Sequence, residues 1–182
     1  MSRDEQGDTP LWFPVQHSIL AAEALVEQVL TKHAFDRPVS CQLFHRGRND
    51  SYLVTAGACQ CFPRITPSGE RSREQIAAEI DLLRFLDQHQ ISVPKSMRQK
   101  DGTYIHTLPA PEGVRYAAVF TCVGGAPPAK LSKIQSARYG KLAAEIHALT
   151  DQHPQQYTRF HHDLNDIVDE PVKLLAPVYA DC

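Results

Sequence analysis

"FPRITPSGERSREQIAAEIDLL", residues 62–83, places a charge where a core is expected. Read as a helix from Ser72 onward, it sets Ile76, Ile80 and Leu83 on one apolar face. Glu79 stands inside that stripe, three residues after Ile76 and four before Leu83. A carboxylate facing a core is costly unless a cation meets it. The preceding run, "QCFPRIT" (60–66), is aromatic and β-branched like a strand and carries one cation, Arg64. Arg64 is therefore the expected partner of Glu79. The alternative is a Glu79 that reaches water from the helix edge, with Arg64 on the strand surface. Ser72 followed by Gln75 reads as a capping box, which sets the helix start.

Two further runs lie upstream, "VSCQLFH" (39–45) and "SYLVTA" (51–56). Gly47, Asn49 and Asp50 separate them, and "AGACQ" leads into the third run, so an antiparallel meander of three strands is expected. Pro63 points to an edge strand or a bulge. Before the meander, Ser18 can cap a helix to about His33, with Leu20, Ala24, Val26 and Leu30 apolar and Pro38 closing it. Residues 1–16 read as a loose polar start.

Downstream, the Glu79 helix should run to about His89, with Val93-Pro94 forbidding its continuation. "DGTYIHTL" (101–108) and "RYAAVFTCV" (115–123) read as two more strands, the second apolar on both faces and hence central. "GGAPPA" (124–129) is the best internal boundary, because Gly and Pro break both kinds of element. Ser132 with Gln135 forms a second capping box, and Tyr139, Leu142, Ile146 and Leu149 space one apolar face. "LNDIVDEPVKLLAPVY" (164–179) suggests short helices.

With 182 residues, 42% hydrophobic and 22% charged, the chain reads as a soluble globular protein. Its net charge of −2, without Lys/Arg runs, argues against a nucleic-acid surface. Its longest apolar runs, such as 116–123, are too short to cross a bilayer, and the polar "MSRDEQGDTP" start has no signal-peptide pattern. Cys41, Cys59, Cys61, Cys122 and Cys182 form neither a disulfide framework nor a zinc spacing. Distant His161 and His162 do not change that. Free thiols in a reducing cytoplasm are the expectation.

The order is helix, three strands, helix, two strands, Gly/Pro hinge, helices. The chain resembles the aminoglycoside phosphotransferase-like family of small-molecule kinases, nearest its stress-response kinase A and homoserine-kinase-type branches. "GRNDSYLV" (47–54) is similar to the family's first hairpin, with Asn49, Tyr52 and Val54 in step. Residues 62–83 are similar to its third strand and Glu-bearing helix. "ISVPKSMRQKDGTYIH" (91–106), "RYAAVFTCVGGAPP" (115–128) and "LSKIQSARYGKLAAEIHAL" (131–149, with Gly140 and His147) follow in family order.

The resemblance implies an α+β fold: a protein-kinase-like small lobe, a five-stranded antiparallel sheet with a helix after the third strand. An N-terminal helix precedes it and the first helices of an incomplete helical lobe follow. The implied division is a polar segment (1–16), a nucleotide-binding lobe (17–123), then the hinge and start of the helical lobe (124–182). It implies ATP with Mg2+ as cofactors and a small-molecule hydroxyl as acceptor. The nucleotide-binding residues would be Arg64, Glu79, the turn Gly47, Arg48, Asn49, Asp50 and Ser51, and the hinge residues Phe120, Thr121, Cys122 and Val123.

The pattern departs from the family in three places. The clamping cation is commonly Lys there and is Arg64 here, and Gly47 stands alone where a Gly-rich loop would be. The catalytic loop of His-Gly-Asp type, with an Asn five residues after its Asp, has no good match. In "HHDLNDIV" (161–168) the fifth residue after Asp163 is Val168. The catalytic and metal-holding groups, and thus the Mg2+ ligands, are expected beyond Cys182. The alternative function is a non-catalytic pseudokinase-like or protein-interaction module. Gly47–Ser51 is equally readable as plain turn residues, and His147 as structural. Self-association through an incomplete helical lobe is a further expectation, with neither nucleic acid nor membrane as partner.

Overall fold

Every second side chain of Asp50–Ala56 is buried, the period of a strand covered on one face. That strand is β4 of a computed structural model, which describes residues 15–16, 19–35, 39–126, 128–154 and 163–179. A two-stranded ribbon, β1 (Val15–Gln16) with β2 (Ile19–Leu20), leads into the short helix α1 (Ala22–Gln28) and a 3-10 turn at Leu30–Lys32. The main sheet contains β3 (Val39–Arg46), β4 (Asp50–Ala56), β5 (Cys59–Thr66), β6 (Ile105–Ala110) and β7 (Gly113–Thr121). Its order is β3-β4-β5-β7-β6, antiparallel throughout. Helix α2 (Arg73–Gln88) joins β5 to β6. Beyond the hinge lie α3 (Lys133–Thr150), a π-helical turn (Asn165–Asp169) and α4 (Glu170–Tyr179). The fold is α+β, a kinase-like small lobe followed by helices.

Directly paired residues share a face of the sheet, so the register assigns its two sides. One side, with Tyr52, Val54, Cys61, Ile65, Ala117 and Val119, packs on Leu25, Val29 and Leu30 of the α1 segment. The other, with Ala118, Phe120 and Ile105, packs on Ile76 and Ile80 of α2. Burying each such aliphatic side chain stabilises by roughly 1.5–3 kcal/mol.

The capping boxes at Ser72–Gln75 and Ser132–Gln135 both form. Three readings need correction. The first helix starts at Ala22, because Ile19–Leu20 is taken by the ribbon; Ser18 lies outside the described residues. Pro63 marks no edge: β5 is central, paired with β4 and β7. The ladder to β7 runs unbroken through Pro63↔Val119, while that to β4 is interrupted between Ser51↔Arg64 and Val54↔Cys61. The donor that proline lacks falls in that interruption. Finally, α2 ends before Val93-Pro94, because Gln90 adopts φ 63° and the Ile91 amide returns to the Leu86 carbonyl at 3.0 Å. That is a Schellman-type stop built without glycine.

Cys61 is part of the core and half-buried Cys41 packs against it. Burial pushes Cys61 up to about 12 and Cys41 up to about 11. His33 and His106 form a buried pair, Nε2 to Nε2 at 3.0 Å, with His33 Nδ1 3.2 Å from the Arg98 carbonyl. A carbonyl only accepts, so His33 carries its proton on Nδ1 and His106 donates from Nε2. That leaves His106 Nδ1 buried and bare. Burial, then the neighbouring His33 and Lys32, lowers His106 to about 3, and burial also lowers His33. Both folded values lie below the unfolded value near 6.5, so the unfolded chain takes up protons first as pH falls. The stability from this pair is present above about pH 6.5 and declines below it. Melting temperature should fall from pH 7.5 to 5.5, and a His106→Phe chain should show a shallower fall. Parallel curves would refute the assignment.

Candidate functional site

Arg64 lies on β5 opposite Ser51 of β4 and Ala118 of β7, and therefore on the side covered by α2. Glu79 reaches it from the second turn of α2. Arg64 Nη2 donates to Glu79 Oε1, and Arg71 Nη1 donates to Glu79 Oε2. Arg71 also donates from Nη2 to the Gln75 carbonyl at 3.0 Å. The side chains of Arg64, Arg71 and Glu79 are 32%, 27% and 25% exposed, so the triad sits at the rim of the core. Burial works to raise the Glu79 carboxyl, but the two guanidiniums outweigh it and hold it below the usual carboxylate range. The Arg64 guanidinium also stacks 4.5 Å above the Phe120 ring. Glu79 is no snorkelling residue.

The β3–β4 connection, Gly47 to Asn49, closes with the Gly47 amide on the Asn49 carbonyl at 3.2 Å. Thr66 Oγ1 donates to Asn49 Oδ1 at 2.9 Å, and Arg48 stands 3.9 Å from Glu70. The turn is thus tied to the loop between β5 and α2. Ser51 shares the Arg64 face. Asp50 does not: paired with Ile65, it is buried on the opposite side, 3.4 Å from Arg46 and 3.8 Å from Arg115. Its carboxylate is committed to that network, which Glu112 extends through Arg115.

At the far end, the Thr121 amide donates to the Lys95 carbonyl at 2.9 Å and the Cys122 amide to the Gln60 carbonyl at 3.2 Å. Val123 follows, 57% exposed and outside these bonds. The structure therefore brings Arg64, Glu79, Ser51 and Phe120 together and sets Asn49 and Arg48 at one end, with Thr121, Cys122 and Val123 at the other.

Two features escaped the sequence reading. Arg71 immediately precedes the cap Ser72, and a cation at a helix start eight residues ahead of Glu79 was the available signal. Phe62 and Leu53, two residues along their strands from Arg64 and Ser51, continue the same face, where Phe44 meets Phe62 edge-on at 5.2 Å. Phe62 and Leu53 are half-buried and Phe44 is 63% exposed. These side chains make an apolar floor beside the cation, and period-two alternation from Arg64 would have found it.

Comparison with known proteins matches residues 40–171 to the model of the phosphotransferase enzyme family. The uncharacterized protein sll1119 of Synechocystis sp. is 32% identical over 91% of this chain and 46% of its own length. The chain spans about half the length of the curated relatives it matches. Among solved structures, a microcompartment-associated aminopropanol kinase superposes with TM-score 0.69 at 24% identity, over 83% of this chain and 48% of that one. Amicoumacin kinase hAmiN gives TM-score 0.65 at 22% identity, over 86% and 48%. At these identities the structures speak for the fold, which is the one derived above. Order of elements, register and family model agree: the chain belongs to the phosphotransferase enzyme family, with its aminoglycoside phosphotransferase-like small-molecule kinases, and carries their kinase-like small lobe.

Proposed function

We propose that the chain is the nucleotide-binding portion of an ATP-dependent phosphotransferase of the cytoplasm that acts on a small-molecule hydroxyl. The observation that carries this reading is the Arg64–Glu79 pair at the edge of an open apolar floor, beside the β3–β4 turn. A purine fits the floor of Leu53, Phe62 and Phe44, next to the hinge at Cys122 and Val123. The phosphates then fall toward Arg64, Ser51 and the Gly47–Asn49 turn. Residues 17–123 form the nucleotide lobe in this reading, and 124–182 the hinge and the first helices of a helical lobe. The amicoumacin kinase was solved with AMP-PNP, Ca2+ and Ami, which supports a nucleotide in this fold.

Among the described residues no group of three His, Cys, Asp or Glu side chains could hold an ion, so no step is assigned to Mg2+. Gly47 alone where a Gly-rich loop would be, and Val168 where an Asn would follow Asp163 by five residues, favour a second reading, a non-catalytic pseudokinase-like module using the same sheet. No helix of the described residues is long and apolar enough to cross a membrane.

ATP is expected to raise the melting temperature, because a ligand that binds only the folded state stabilises it by mass action, about 2.7 kcal/mol at a hundred times Kd. Gly47→Leu should reduce that shift without unfolding the lobe. A Cβ at Gly47 meets only the exposed end of the His45 ring, at 3.0 Å, and its backbone is in an ordinary region. No shift with ATP would leave the interaction-module reading. A shift undiminished in Gly47→Leu would place the nucleotide elsewhere.

A further inference from the structure

The Glu79 carboxylate is divided between two arginines, one oxygen to each. Resting on the nucleotide reading above, we propose that Arg71 is a positioning residue that keeps Arg64 open to the phosphates. An arginine facing one carboxylate alone tends to close on it with two parallel N–H···O bonds, spending its fork. Here Arg71 occupies Oε2, so Arg64 meets Glu79 through Nη2 alone. The remaining N–H groups of Arg64 stay available, and its guanidinium carbon lies over the Phe120 ring, 4.5 Å from the centroid, a cation–π contact that helps to hold it.

Arg71 is well placed to do this. It directly precedes the cap Ser72, whose side chain and backbone are both locked to Gln75, and its own Nη2 is anchored on the Gln75 carbonyl. The guanidinium is thus held at the first turn of α2 rather than swinging in solvent. Two guanidiniums around one carboxylate also leave an excess positive charge at the rim, which suits an anionic ligand. Without Arg71, Glu79 is free to rotate and grip Arg64 with both oxygens. The cation would still be present, yet turned away from the ligand.

The test is calorimetric titration of the full chain with ATP and with adenosine, for wild type, R71A and R71K. The wild type should bind ATP more tightly than adenosine. R71A should weaken ATP by about tenfold, the loss of roughly one charge-assisted hydrogen bond, and leave adenosine within about twofold; R71K should restore most of the loss. A merely structural role would weaken both ligands alike and overturn the inference, as would an unchanged ATP affinity. A wild-type chain that binds neither ligand overturns the nucleotide reading and this inference with it. A crystal structure of R71A gives a ligand-free check. Both Glu79 oxygens on Arg64 is the expected result, and a retained one-point contact overturns it.

Discussion

Glu79→Leu is expected to lower the stability of the chain by about 3 kcal/mol, near the lower end for removing one partner of a buried ion pair. The loss exceeds the value of a surface pair, about 1 kcal/mol or less, for a reason visible in the geometry. Among the described residues Glu79 is the only carboxylate bonded to Arg64 and Arg71, and both are mostly buried. Removing it leaves two like charges facing each other across an apolar side chain, with Ile76 and Ile80 packed below. Arg64→Met should cost less, because Glu79 keeps Arg71. The double variant should be more stable than the sum of the two single losses implies, with a coupling of at least about 1 kcal/mol, whereas independent sites add within roughly 0.5 kcal/mol. Strict additivity in urea unfolding would refute the pair.

The pH dependence has a definite sign. The folded Glu79 value lies below that of the unfolded chain, so its contribution is present above the unfolded value near 4.3 and is lost as pH falls through the folded one. Its window therefore lies below that of the histidine pair, and the two can be separated in one titration of stability.

What could be read from the sequence was what repeats with a period or caps an end. The meander came from aromatic and β-branched runs between turn residues, the central place of β7 from apolar residues on both its faces, and both capping boxes from Ser/Gln spacing. Glu79 stood out because it broke a pattern. What escaped were relations between distant segments. Arg71 lies outside both the strand and the helix pattern, and its place just ahead of the Ser72 cap was the single local signal that it could meet Glu79. His33 and His106, far apart in the chain, meet only because α1 and β6 share one side of the sheet. Asp50 looked like a turn residue by type, but its register opposite Ile65 turns it to the buried face. The Gln90 stop escaped because positive φ is expected of Gly or Asn, and here the packing of Ile91 and the returning hydrogen bond impose it on Gln.

The chain by itself is expected to transfer no phosphate to any acceptor, and to self-associate. Phosphoryl transfer depends on positioning and electrostatics shared between a cation-bearing lobe, a base and metal-held phosphates. In the proposed function, Arg64 with Glu79 stands for the first of these. The family's His-Gly-Asp loop, which would supply a base and metal ligands, has no good match in residues 161–168, where Val168 stands five residues after Asp163. Asp163, the tempting base in "HHDLN", is exposed, and its carbonyl opens the following helical turn by accepting the Ile167 amide at 3.0 Å. A helix start of that kind explains an Asp without catalysis. The helices after the hinge show the same division. No residue of α3 is buried, and Ile134, Tyr139, Leu174 and Tyr179 are each at least 67% exposed. α3 is tied to the lobe near its end by His153, 3.1 Å from Asp81 and edge-on to Phe85 at 4.7 Å. Apolar helix faces of this extent seek cover, and a second copy of the chain is the cover at hand in a purified sample. Sedimentation should show concentration-dependent oligomers, reduced by Tyr139→Glu with Leu174→Glu, while binding of ATP stays weak and nearly indifferent to Mg2+. A monomer at all concentrations would refute the association. ATP-dependent phosphorylation of a small molecule that is abolished by Asp163→Asn would overturn the rest and make "HHDLN" a catalytic loop.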